Sequence, residues 1–207
     1  MYAPTTILSE NRKTGCSLNL PIKGHCRPTR NCSRTCYARC GHTALPVSKN
    51  KQQWLSKYLK GRDISGLIEE CRSHTAVRIS GTGDLSLEHV PNILKLATAC
   101  PQTMFWGMTR KLEIATALNG QRPNLKLMVS VDSSSPTSVW KYKGTLCWGP
   151  RFASDVVPDL KQIRTIFPYH FVGRVVQEKK MPRDLRDCPA IWHRVKGCLE
   201  CKRCWSW

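Results

Sequence analysis

Twelve cysteines stand among 207 residues, and two groups of them are spaced as metal ligands are. Near the carboxyl end, Cys198, Cys201 and Cys204 form C-x-x-C-x-x-C, with Cys188 and Pro189 upstream. Ferredoxin-type loops use that tight run to wrap three corners of a 4Fe-4S cluster, and Cys188 supplies a candidate fourth ligand. A single zinc ion held by one C-x-x-C pair and two more ligands is the competing reading, and structural thiols without a metal are the third.

The second group, Cys26, Cys32, Cys36 and Cys40, is spaced x5, x3 and x3 and contains no C-x-x-C pair. That argues against an ordinary zinc finger. A helix through residues 31–40 would bring Cys32, Cys36 and Cys40 to one face. Arg30, Arg34 and Arg39 flank them, a cationic setting that favours thiolates and so favours ligation at Cys32 and Cys36. Cys40 reads as a buried bystander. Cys16 precedes Cys26 in the same unpatterned stretch and is a further candidate ligand. His25 and His42 flank the group, but a solitary histidine is more often a hydrogen-bonding residue. Cys71, Cys100 and Cys147 sit in apolar runs such as "LIEEC" and "LATAC" and read as core.

Lysine and arginine number 33 against 14 acidic residues, for a formal charge of +19. Nucleic acid is the natural polyanionic partner for such a surface. Arg27, Arg30 and Arg34 beside the first cysteine group, Arg110 and Lys111 in "FWGMTRK", and Lys202 and Arg203 in the tail are the candidate contacts. Trp192, Trp205 and Trp207 surround the tail cysteines; aromatic rings among cations stack single-stranded bases, and they equally shield a cluster from water. The scarcity of acidic residues disfavours an oxygen-ligated magnesium or calcium site. No phosphate loop, Ser-His-Asp order or paired-carboxylate motif is present. Asp132, at the end of "LMVSV", is either a site carboxylate or a cap for "SSSPTS". Without an apolar run of membrane-spanning length or a signal-peptide pattern, a cytoplasmic protein with reduced thiols is expected, with no membrane partner.

The elements that must position these residues follow from apolar periodicity. Residues 76–80, 104–108, "LKLMVSV" and "YHFVGRVVQ" read as strands. Between them, "VPNILKLATA" and the stretch from Lys111 to the stop at Gly120 read as helices, with Thr109 a candidate cap. "WLSKYLKG" and "DISGLIEECRS" supply further helical cover. Alternation of this kind predicts an α/β fold with a largely parallel sheet, open or curved into a barrel. The first forty residues show little periodicity and read as a loop. The expected organisation is an α/β domain over residues 1–187, carrying the N-terminal cysteine loop, with a cysteine-rich tail over 188–207 packed on it.

Taken together, "HCRPTRNCSRTCYARCG", "RISGTGDLSLE", "FWGMTRK", "MVSVDSSSP" and "CLECKRCW" resemble proteins of the phage and plasmid gene-product-88 type. Those proteins, and related phage proteins with a "GCxxCYA" loop, are similar in layout to radical S-adenosylmethionine enzymes. The resemblance spans most of the chain. It implies a partial parallel (β/α) barrel of radical S-adenosylmethionine type, one or two 4Fe-4S clusters, and Cys26, Cys32 and Cys36 as ligands, with Cys40 outside the triplet. It implies that Gly81 and Gly83 form a turn at the methionine end of S-adenosylmethionine and that Asp84 contacts its amino group. An ordinary tight turn is the plainer reading of "GTGD". The spacing departs from the usual C-x3-C-x2-C and the turn lacks a Glu-Pro, which leaves open a cluster closed by a fourth cysteine such as Cys16. The implied function is an iron–sulfur enzyme of radical type acting on or near nucleic acid. The alternative is a non-catalytic iron–sulfur or zinc protein that binds nucleic acid, with a structural or redox-sensing centre. If phage-encoded, its location would be the host cytoplasm.

Overall fold

The computed structural model describes residues 4–11, 14–151, 157–158, 161–168, 188 and 196–206. Seven strands form one sheet in sequential order: β1 Ser9–Asn11, β2 Gly15–Asn19, β3 Ala76–Thr82, β4 Met104–Thr109, β5 Leu125–Val131, β6 Leu146–Arg151 and β7 Ile163–Pro168. β1 pairs antiparallel with β2; every later pair is parallel. The order never reverses, and among the described residues β7 does not pair back to β1, so the sheet is not closed. The expected strand "YHFVGRVVQ" lies outside the described residues.

Right-handed crossovers in an order that never reverses put every connecting helix on the same face. That face carries the main core. Leu18, Leu20, Val77, Ile79, Phe105, Leu125 and Leu127 pack there with residues of α2 Pro46–Tyr58, α3 Ser65–Arg72, α4 Val90–Ala99 and α5 Leu112–Leu118. Cys71 and Cys100 are buried in this cluster, as their contexts predicted. Val129, Val131, Leu146, Trp148, Ile163 and Ile166 continue the layer toward β7. The alternate strand residues Ala76, Trp106, Met128 and Cys147 point to the opposite face, where Cys204 and Trp205 of the tail cover them. No helix of the described residues is long and apolar enough to cross a membrane.

The amino-terminal forty residues are not simply a loop. Leu18 and Leu20 are fully buried, and β2 joins the sheet beside β3, with Cys16 opposite Val77. A five-residue strand is too short for its alternation to stand out in the sequence; pairing with β3 decides it.

The turn after β3 explains its own glycines. Gly83 has φ +68, and a Cβ there would lie 2.3 Å from the Leu20 carbonyl oxygen. Only glycine tolerates both the left-handed backbone and that approach. Gly83→Ala is therefore expected to cost about 2 kcal/mol through backbone strain and displacement of the chain after β2. A urea titration showing less than half of that would mean the turn is freer than drawn.

Candidate functional site

In parallel α/β sheets, functional groups gather beyond the carboxyl ends of the strands. The chain between β2 and α2 is tied there at four points. His25 Nδ1 lies 3.3 Å from the Asp84 carbonyl oxygen beyond β3. Exposed Arg27 pairs with Glu113, in the first turn of α5, at 2.7 Å. Thr29 Oγ1 donates to Asp132 Oδ2 beyond β5 at 2.5 Å. The Tyr37 hydroxyl donates to the Gly81 carbonyl. The segment carrying Cys26, Cys32 and Cys36 is thereby held across the ends of β3, β4 and β5.

Thr29 also starts a helix. Its hydroxyl accepts the Cys32 N–H at 3.2 Å, capping α1 Arg30–Thr35. The same oxygen thus fixes the amide of one cysteine and the carboxylate of Asp132. α1 ends at Thr35, and Cys36 has extended backbone, φ −63 and ψ 106. The expected helix through Cys40 is therefore absent, and the single cysteine face with it. Cys40 is half-buried, its thiol donating to the Tyr37 carbonyl at 3.1 Å.

Asp132 is the hub of the site. It is fully buried and pairs with Arg110 Nη1 at 3.0 Å, the arginine side chain being 12% exposed. Its Oδ1 accepts the Ser134 N–H at 2.8 Å and the Ser134 hydroxyl at 2.7 Å. Asn31 reaches the same loop, its N–H donating to Ser134 Oγ and its amide to Ser133 Oγ. The two readings of Asp132, site carboxylate and loop cap, are one arrangement. Arg110 donates onward to the Gly149 carbonyl at 2.6 Å, bridging β5 and β6.

Asp84 organises the neighbouring turn. It accepts from the Thr109 hydroxyl at 2.7 Å, the Arg110 N–H at 3.0 Å and the Leu85 N–H at 2.8 Å. Burial pushes its acid upward in pKa, and these donors oppose the shift. The carboxylate is thus engaged by the protein, so the geometry gives Asp84 a positioning task where a direct contact to a cofactor was expected. Thr109 accepts the Lys111 N–H at 3.0 Å, but Lys111 itself precedes the first turn of α5, and no side chain caps that helix.

Two of the candidate nucleic-acid contacts are engaged within the protein. Arg110 is spent on Asp132 and Gly149, and Lys111 is buried with Nζ donating to the Leu85 carbonyl. Both hold the interior of the site. Arg27, Arg30, Arg34 and Lys202 are exposed, while Arg203 is half-buried.

The thiols tell a related story. Cys26 is pushed up to about 12 by burial first, then by the charges of Asp84, Cys32 and Cys36, with Lys111 opposing. Cys32 is raised by burial, against which Arg110 acts as a charge and as a hydrogen-bond donor. Arg110, distant in sequence, is thus a cation that opposes the rise at Cys32. Cys26, Cys32 and Cys36 lie within each other's electrostatic reach. Cys16 does not join them: it packs at the helix-covered face, its sulfur 3.6 Å from the His74 ring. Among the described residues no three His, Cys, Asp or Glu side chains converge closely enough to hold a metal ion as they stand. None of the twelve cysteines is in a disulfide.

A family profile described as gene product 88 matches residues 4–206. The chain belongs to the gene product 88 family. No curated protein and no solved structure matches it. The profile covers both cysteine groups and the "GTGD" turn of this gene product 88 chain, so the two ends of the sheet belong to one family unit.

Sequence reading missed two residues of the site. Thr29 was legible only as a Thr ahead of a short polar run, a capping signal too common to single out. Arg78 lies within the apolar strand "AVRIS" and points to the face opposite the helices, 5.4 Å over the Trp106 ring, with buried Nε lacking a hydrogen-bond partner. The signal was a lone cation in a strand that otherwise reads as buried.

Proposed function

We propose that this chain is an iron–sulfur protein of radical S-adenosylmethionine type acting on nucleic acid, its 4Fe-4S cluster held by Cys26, Cys32 and Cys36. The observation that carries the reading is that the segment bearing those three thiols is tied across the ends of β3 to β5, in a sheet whose parallel strands run in sequential order. The donor set suits the group. Three thiols are neighbours, and Arg110 is placed to stabilise one as thiolate; ligation would require thiol rotamers that bring the sulfurs together. When bound, such a cluster supplies an electron, and an iron left open by three protein ligands is where S-adenosylmethionine binds.

The chain's own residues would do the rest. Asp132 and Thr29 fix the amide of Cys32 and the start of α1. Asp84 and Gly83 shape the turn after β3. Arg78, over the Trp106 ring with its buried Nε unpartnered, supplies positive charge on the face opposite the helices. Exposed Arg27, Arg30 and Arg34 rim the same end and suit a polyanion. One observation favours the second reading, a non-catalytic cluster: the Asp84 carboxylate is already engaged.

Anaerobic purification with iron and sulfide assays, followed by paramagnetic resonance of the reduced protein with and without S-adenosylmethionine, tests the proposal. The expected result is a cluster whose spectrum changes on adding the cofactor and which is lost in Cys32→Ser/Cys36→Ser. A cluster indifferent to the cofactor would leave the non-catalytic reading. Metal without sulfide would remove both. Binding to DNA and RNA should weaken steeply with salt through counterion release, and a flat response would retire the nucleic-acid partner.

A further inference from the structure

The tail builds a second site on the face of the sheet opposite the helices, beside β6 and β7. Cys188, Cys198, Cys201 and Cys204 line one cavity of about 10 Å³, together with Thr165, Arg203 and Trp205. Cys188 is fixed against β7, its N–H donating to the Ile166 carbonyl at 2.8 Å. The others come from one short turn. Cys198–Cys201 is a single helical turn, α6, which Lys202 ends in the left-handed region at φ 53. Lys202 N–H returns to the Cys198 carbonyl at 2.9 Å, and the reversal carries Cys204 back toward the other three. A lysine holds that conformation only where its surroundings impose it.

We propose that these four cysteines, once their thiols rotate toward the shared cavity from positions that do not yet converge, hold one tetrahedral zinc ion, a structural staple independent of the N-terminal cysteine site. Cys188, apart from the C-x-x-C-x-x-C run and fixed against β7, completes a set of four thiols on one cavity, as a single tetrahedral zinc ion requires. Four thiolates around one zinc is a closed structural set. Each thiol gives its proton to solvent on ligation, and no electron moves. Buried Thr165 lines the same cavity with its hydroxyl directed to the Cys204 sulfur; a hydroxyl so placed would donate to a zinc-bound thiolate. Arg203 on the cavity wall offsets the negative charge of the site.

The staple has a mechanical purpose. The tail reaches both sides of the open sheet. A Cβ at Gly15 of β2 would lie 3.3 Å from Leu199, Trp205 packs on Trp106 of β4 at 4.7 Å, and Arg164 of β7 donates to the Arg203 carbonyl at 3.1 Å. So short a segment has little core of its own, and metal binding supplies the folding free energy it lacks.

Zinc and iron per chain, measured on the full chain purified without oxygen, test this. The unaltered chain should carry one zinc. Cys201→Ser/Cys204→Ser should lose it while keeping whatever iron the chain holds, and Cys32→Ser/Cys36→Ser should keep it whether or not iron is lost. Failure of the N-terminal proposal would thus appear in iron and sulfide alone. Should the tail variant fail to fold, two other measurements decide: cobalt exchanged into the unaltered chain should show the absorption of tetrahedral thiolate cobalt, and Thr165→Val should hold zinc about tenfold more weakly. Absence of zinc, iron and sulfide sufficient for two clusters, or zinc retained in full by the tail variant would overturn the proposal.

Discussion

Replacing Asp132 with alanine is expected to cost about 3–5 kcal/mol, the range for removing one partner of a buried ion pair. The carboxylate is fully buried and Arg110 nearly so, so the remaining guanidinium would keep neutral partners, the Gly149 carbonyl and the Cys32 thiol, and no counter-charge of its own. Thr29 and Ser134 would lose their acceptor at the same time. The magnitude comes from stranding a charge, not from the net worth of the pair. Arg110→Met/Asp132→Leu should therefore recover much of the loss, because a matched apolar pair often replaces a buried ion pair at little cost. Urea denaturation of the two single variants and the double one measures this. A loss under 1 kcal/mol in Asp132→Ala would mean that water reaches Arg110 and that the hub is not closed. Amide exchange across residues 29–36 should rise in Asp132→Ala, since the cap of α1 leans on that carboxylate.

The second large effect is on acid stability. His89 is fully buried and stacks on His25 with centroids 5.5 Å apart. Burial lowers its pKa from the ordinary 6.5 to about 4. The geometry agrees: Nδ1 accepts the Ser86 N–H at 3.1 Å, while Nε2 faces the Ser56 carbonyl at 3.2 Å, so one ring nitrogen donates and the other accepts. A second proton would break the bond from Ser86. The unfolded chain takes up that proton near pH 6.5 and the folded one only near pH 4. Stability from this group is full above pH 6.5, falls as pH drops between the two values, and levels below about 4. The loss amounts to about 3 kcal/mol. Because His25 belongs to the cysteine segment and also lies 3.1 Å from Ser56 through Nε2, acid should loosen that segment first. His89→Gln should show a flatter dependence between pH 6.5 and 4; equal slopes in the two proteins would sink the prediction. Asp84, whose acid is raised by burial, acts in the opposite sense and is common to both.

Much of this arrangement was legible before any coordinates. The strands at β3, β4 and β5 and the helices between them follow from apolar periodicity, because their residues are buried against partners on one layer. The burial of Cys71, Cys100 and Cys147 followed from the apolar runs around them. The roles of Arg110 and Lys111 were not legible. A basic pair at a strand end looks the same in one dimension whether it meets solvent or an interior carboxylate, and only the 3.0 Å approach of Asp132 separates the two. Cys16 was misplaced for a similar reason: proximity in sequence put it near Cys26, while its pairing opposite Val77 puts it on the sheet.

Sequence alone determined the class of the fold, the basic charge and the two groups of closely spaced cysteines, since composition and local spacing are properties of the chain itself. Tertiary structure decided which residues share a site. Cys26, Cys32 and Cys36 come near Arg110 and Asp132 beyond the strand ends, and four tail cysteines meet Thr165 on the face opposite the helices. The partners that set thiolate charge, cap α1 and bury Asp132 lie dozens of residues away along the chain, with Thr29 and Asp132 separated by 103. Parallel strands in sequential order bring such distant loops to a common end, and no local pattern encodes that meeting.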